Sequence, residues 1–211
     1  MRFIHVLTLL LPLPCLMTGQ QWEVGGSAGY GLYRDVNVTA GSATGKAGFA
    51  PGLAVGGVFG NQMNRWVGGE ARYTYRVDEL RVSSGSVEAK AKAQSHAIHY
   101  DVLVHAAKKE SPIRPFAAIG AGVKIYRGTG AEPPVQPLSN LVVLTHTREA
   151  QPLISAGGGV KMAISHAALL RLDFRDYFTP LPSNLLATPG STRIGGWMHD
   201  FVFLAGISHV F

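Results

Sequence analysis

Residues 197–211, WMHDFVFLAGISHVF, repeat with a period of two: Phe201, Phe203, Ala205, Ile207 and Phe211 share one face, while Asp200, Val202, Leu204, Gly206, Ser208 and Val210 share the other. This is a strand with one apolar and one mixed face, ending on an aromatic side chain. His209 interrupts the apolar side near the chain's end, where an amphipathic ring is tolerated. The same rhythm gives eight strand candidates, at 22–33, 47–59, 65–77, 95–106, 115–126, 152–164, 168–178 and 197–211. In the third, Val67, Gly69, Ala71, Tyr73, Tyr75 and Val77 alternate with Gly68, Glu70, Arg72, Thr74 and Arg76. The seventh sets Leu170, Leu172 and Phe174 against Arg171, Asp173 and Arg175.

Only 15% of residues are charged, against about 25% in an ordinary soluble domain. After residue 20 no run approaches the roughly 18 consecutive apolar residues of a transmembrane helix. A chain of this kind crosses a bilayer, if at all, with strands of about 9 to 11 residues. The connections support that reading, because short ones (60–64, 108–113, 165–167) alternate with long ones (34–46, 78–94, 127–151, 179–196). An all-β, eight-stranded antiparallel up-and-down transmembrane β-barrel is expected. A soluble up-and-down barrel has the same alternation, but its solvated face favours Lys, Glu and Thr. Here that face carries Gly25, Ser27, Gly29 and Gly31, or Ser155, Gly157 and Gly159, which suit a crowded interior. Trp22, Tyr33, Phe49, Phe59, Phe116, Tyr126, Tyr177, Phe178 and Trp197 fall near strand ends, where interfacial girdles are expected.

Residues 1–20 read as a cleaved signal peptide: basic Arg2, an apolar stretch from Val6 to Met17 broken by Pro12 and Pro14, then small Thr18 and Gly19. Residues 21–211 would form the barrel. Cys15 would leave with the signal, so no disulfide or thiol chemistry is expected. So would Arg2, leaving 18 basic and 13 acidic residues, a net charge of +5. That excess suits anionic lipid headgroups or lipopolysaccharide phosphates. No nucleic-acid motif or clustered basic face is recognisable.

In this pattern the chain resembles the small eight-stranded outer-membrane barrels of the OmpA and OmpX type over essentially the whole mature chain. The resemblance implies an outer-membrane location, a monomer, and a closing strand read by the outer-membrane assembly machinery, with Phe201, Phe203, Ile207 and Phe211 as its signal. His209 departs from the apolar residue such proteins prefer there.

The same phasing points Glu23, Glu70, Asp101, Asp173 and Asp200 inward, with Arg72, Lys124, Lys161, Arg171 and Arg175: five of each sign. Charges in a confined lumen are costly unless paired, so a neutral network plugging the lumen is expected. His99 and Asp101 share that face and, with Ser27 or Ser155, match the residue types of a Ser/His/Asp triad; an inward histidine satisfied by an aspartate is the plainer alternative. The mature histidines 96, 99, 105, 146, 166, 199 and 209 form no compact ligand set, and neither metal nor cofactor is expected. Asn37-Val38-Thr39 matches a glycosylation acceptor by chance. In the longest loop, Leu141 to Leu144 is an apolar patch, either a hairpin extension or a partner-binding edge. The expected role is structural or surface-interactive, with a lipid A-modifying hydrolase or a narrow porin as alternatives.

Overall fold

A computed structural model describes residues 21–130, 136–188, 193–194 and 196–211. The signal expected over 1–20 lies outside the described residues. Eight long strands form the ring: β1 (Gln21–Arg34), β4 (Gly52–Gln62), β5 (Val67–Ser84), β6 (Val87–His105), β7 (Ile113–Gly128), β9 (Arg148–Ala163), β10 (Ala168–Pro180) and β13 (Trp197–Val210). Each pairs antiparallel with its sequence neighbour in the ring, and β1 closes on β13 from Glu23↔Val210 to Arg34↔His199. At the join, Trp22 and Phe211 exchange backbone hydrogen bonds of 2.9 and 3.0 Å. Closure leaves the ring no free edge.

Parity governs the two faces. Leu53, Val55, Ile98, Ile119, Phe203 and Ile207 are exposed on the outside, the apolar band a bilayer-spanning barrel presents. Trp22 stacks on Phe59 at 5.1 Å near the short-turn end. Five residues expected in the girdles turn the other way: Phe49, Phe116, Tyr126 and Tyr177 are buried, and Tyr33 packs among the buried group. Parity explains four of them, since Tyr126 stands two residues from Lys124 and Tyr177 two from Arg175; Phe49 is turned in by the break after it and packs in the apolar cluster above the ring. Nearness to a strand end does not say which way a side chain points.

The long connections also differ from expectation. The second candidate, 47–59, is two strands divided at Ala50 and Pro51: β3 (Ala43–Phe49) pairs with the top of β5, and β4 begins at Gly52. Pro51 has no N–H to give a continuous ladder. β2 (Val36–Ala40) forms a hairpin with β3 and pairs on its other side with β12 (Arg193–Ile194). β8 (Val143–Leu144) pairs with β11 (Leu186–Ala187). With the extended β5–β6 hairpin these pieces bury a common apolar cluster that includes Val38, Phe49, Leu80, Val82, Leu141, Leu144 and Leu186. The Leu141–Leu144 patch is therefore neither a barrel extension nor an open edge, because Leu141, Val142 and Leu144 lie inside this cap.

Candidate functional site

The ring brings all ten charged residues selected by parity into its interior, where each is buried. Toward the short-turn end, Glu23 accepts from Lys161 Nζ at 2.5 Å, Arg171 Nη1 at 2.6 Å and Ser208 Oγ at 2.7 Å. Lys161 and Arg171 are direct cross-strand partners, a repulsive placement that the shared carboxylate neutralises. Arg171 also reaches Glu70 at 2.9 Å and Asp173 at 3.2 Å. Arg72 holds the same two carboxylates at 2.6 and 3.1 Å. Glu70 and Asp101 face each other across β5 and β6, and Arg175 bridges them at 3.2 and 2.9 Å.

A second group lies toward the long-loop end, where Asp200 takes ion pairs from Arg76 and Lys124. Arg76 also meets Asp78 at 3.3 Å, Ser95 Oγ donates to Asp78 at 2.5 Å, and Lys124 Nζ donates to Tyr33 Oη at 2.8 Å. Arg76 lies over the Tyr33 ring at 4.3 Å, and Tyr33 packs on Phe49 at 4.8 Å, joining the charged layer to the apolar cap above it. Gly31 leaves room here: a Cβ at that position would meet the Arg76 guanidinium and push it aside, and the guanidinium also donates to the Gly31 carbonyl at 3.1 Å. Sequence reasoning missed Arg76 and Asp78. Arg76 belongs to the alternation that contains Glu70 and Arg72, and Asp78 is its next inward position.

The buried charges in these two groups are thus Glu23, Glu70, Asp78, Asp101, Asp173 and Asp200 against Arg72, Arg76, Lys124, Lys161, Arg171 and Arg175, six of each sign. Between the groups, His99 Nδ1 lies 2.8 Å from Asp101, and its Nε2 lies 3.1 Å from Tyr177 Oη, which also contacts Thr74 at 3.1 Å. The serines of the hypothetical triad do not join it: Ser27 Oγ and Ser155 Oγ have no hydrogen-bond partner. Tyr177 occupies the imidazole nitrogen a nucleophile would need. Among the described residues no cluster of three or more His, Cys, Asp or Glu is arranged to hold a metal. At the short-turn mouth a polar cavity of about 30 Å³ is lined by Glu23, Gln62, His105, Arg114 and Lys161 among others. Arg114, another inward residue not singled out from sequence, is buried there.

The four residues of the expected assembly signal lie along β13 and its end. Phe203, Ile207 and Phe211 are exposed outward, and Phe201 is half-buried against Phe174 and His199.

No family model matches the chain, and no curated protein matches it. Solved structures do. The outer-membrane protein OprG of Pseudomonas aeruginosa is similar over 92% of this chain and 96% of its own, with 14% identity and a TM-score of 0.61. Neisserial surface protein A is similar over 89% of this chain and 96% of its own, with 11% identity and a TM-score of 0.54. The chain has the fold of the small outer-membrane β-barrel proteins.

Proposed function

We propose that this protein is exported to the outer membrane, where it forms a closed, monomeric barrel with a structural and surface-presenting role. The observation that carries this reading is the interior: six acids and six bases pair with one another across the ring, and an apolar cap packs over its long-loop end. An eight-stranded barrel has an interior that its side chains just fill. A permeating ion would have to part buried pairs, and separating one costs several kcal/mol. The long connections face outside and present the cap. The engagement of His99 by Asp101 and Tyr177 supports a non-catalytic role. The outward Phe203, Ile207 and Phe211 support recognition of the last strand by the assembly machinery, and the net positive charge supports contact with lipopolysaccharide.

The test begins with boiled and unboiled envelope fractions on a gel, where a closed barrel gives a faster unboiled band. The purified protein is then placed in planar bilayers and incubated with lipid A. The reading expects no steady current and no deacylation. Regular current steps would replace the closed lumen with a narrow pore, and deacylation that disappears in His99→Ala would make the protein a hydrolase.

A further inference from the structure

On the outside of the ring, three successive rungs of β6, β7 and β9 grade from apolar to cationic. Ile98, Val123 and Pro152 form the first, His96, Ile125 and Ala150 the second, and Gln94, Arg127 and Arg148 the third. Each rung lies about 7 Å beyond the last, so the arginines stand about 14 Å from the apolar band's Ile98 toward the long-loop end. Arg127 and Arg148 are direct cross-strand partners and both are exposed. Like charges so placed repel.

Two other bases on this rim, Arg81 and Lys90, are matched. Arg81 pairs with Asp35 at 2.7 Å, and Lys90 with Glu88 at 3.4 Å and Glu79 at 3.5 Å. Among the described residues no carboxylate pairs with Arg127 or Arg148. Lys92, exposed and next above Gln94 on β6, adds a third cation beside them. Below the arginines lies a recess of about 540 Å³, lined by Tyr73, His96, Ile98, Ile125, Arg127 and Arg148. Tyr73 Oη lies 2.8 Å from His96 Nδ1, fixing the polar wall of that recess.

We propose that this groove binds a phosphorylated glycolipid of the outer leaflet, with a lipid A phosphate held between Arg127 and Arg148 and an acyl chain lying along Ile125 and Ile98. Charge complementarity chooses the occupant: paired guanidiniums are suited to bidentate phosphate recognition, and apolar side chains continue directly from them into the bilayer band. A free anion would use the arginines and leave the apolar floor uncovered. The proposal rests on the outer-membrane reading above and deepens its lipid contact to one site.

The test is a titration of the full purified barrel in detergent, followed by native mass spectrometry, with bisphosphorylated lipid A, its dephosphorylated form and inorganic phosphate as probes. The wild-type chain should bind bisphosphorylated lipid A best. Arg127→Gln/Arg148→Gln should weaken that binding by about tenfold or more, while Lys108→Gln/Lys109→Gln, at the short-turn end, should leave it unchanged. Equal binding of the dephosphorylated lipid, undiminished binding by the arginine double variant, or equal occupancy by inorganic phosphate would each overturn the site. Every variant is first required to give the compact unboiled band. Should the glutamine pair fail there, Arg127→Lys/Arg148→Lys decides, since it keeps the charge and loses the fork; unchanged affinity would overturn the bidentate site. Absence of the compact band from the wild-type chain would overturn the barrel reading itself.

Discussion

Arg171→Ala is the most direct probe of the interior. Arg171 serves three carboxylates, Glu23 at 2.6 Å, Glu70 at 2.9 Å and Asp173 at 3.2 Å. Removing one partner of a buried ion pair costs about 3–5 kcal/mol when the other is stranded. None is stranded here: Glu23 keeps Lys161 at 2.5 Å, Glu70 keeps Arg72 at 2.6 Å, and Asp173 keeps Arg72 at 3.1 Å. The loss should therefore sit at the lower end, about 3 kcal/mol. With a urea dependence of about 2 kcal/mol per molar, the unfolding midpoint falls by about 1.5 M. Equilibrium urea titration in lipid vesicles, read by the compact gel band and by tryptophan fluorescence, measures it. Adding Glu70→Gln should recover part of the loss, because it restores the balance of the short-turn group. A midpoint within about 0.25 M of wild type, equivalent to the roughly 0.5 kcal/mol of an inconsequential surface change, would refute the argument that these pairs are coupled through Arg171.

Four further substitutions separate the layers of the molecule. Leu144→Ala removes a fully buried cap side chain; it should loosen the cap by about 2–5 kcal/mol, so that protease cuts the long connections of intact vesicles while the compact band survives. Gly31→Val should drive Arg76 off Asp200 and lower the urea midpoint by an amount equivalent to about 1–3 kcal/mol, more than Gly31→Ala does. Phe203→Lys, in the apolar band, should cost about 2–4 kcal/mol in vesicles. Phe211→Ser should leave refolding in detergent unchanged yet reduce insertion in cells, measured as barrel per envelope fraction.

Most of the ring was legible because bilayer and lumen impose opposite demands on alternate residues. Parity alone carries Glu70 and Arg72 inward and Tyr73 outward. Tyr33, Phe116, Tyr126 and Tyr177 were misassigned because distance from a strand end was allowed to outweigh that parity, and Phe49 because the break at Ala50 and Pro51 takes it out of the ring strand and into the cap. The cap was not legible for a different reason. Its apolar face exists only when distant segments meet, as when Leu144 pairs with Leu186 or Phe49 stacks on Tyr126 at 5.2 Å, and no local period marks such pairings. Arg127 and Arg148 escaped notice likewise: they are 21 positions apart, and only the β7–β9 register makes them neighbours.

The interior charges pose an energetic question, since buried ion pairs add little net stability over apolar residues of the same volume. Their larger effect is on the alternatives. A slip of one residue in a strand's pairing reverses every side chain; in β5 it would turn Glu70, Arg72, Arg76 and Asp78 onto lipid. At the bilayer centre each charge costs about 2.5–3.5 kcal/mol. Four of them, reduced for depth, approach the whole stability of about 5–15 kcal/mol that separates a domain from its unfolded chain. The network thus discriminates between registers far more than it strengthens the correct one. Replacing the short-turn group, Glu23, Glu70, Arg72, Asp101, Lys161, Arg171, Asp173 and Arg175, by apolar residues of matching volume tests this. The fraction that folds correctly should keep a urea midpoint equal to or above wild type, while the share of refolded chain in the compact band should fall. A variant that refolds as completely as wild type would show that the outward face alone specifies the register.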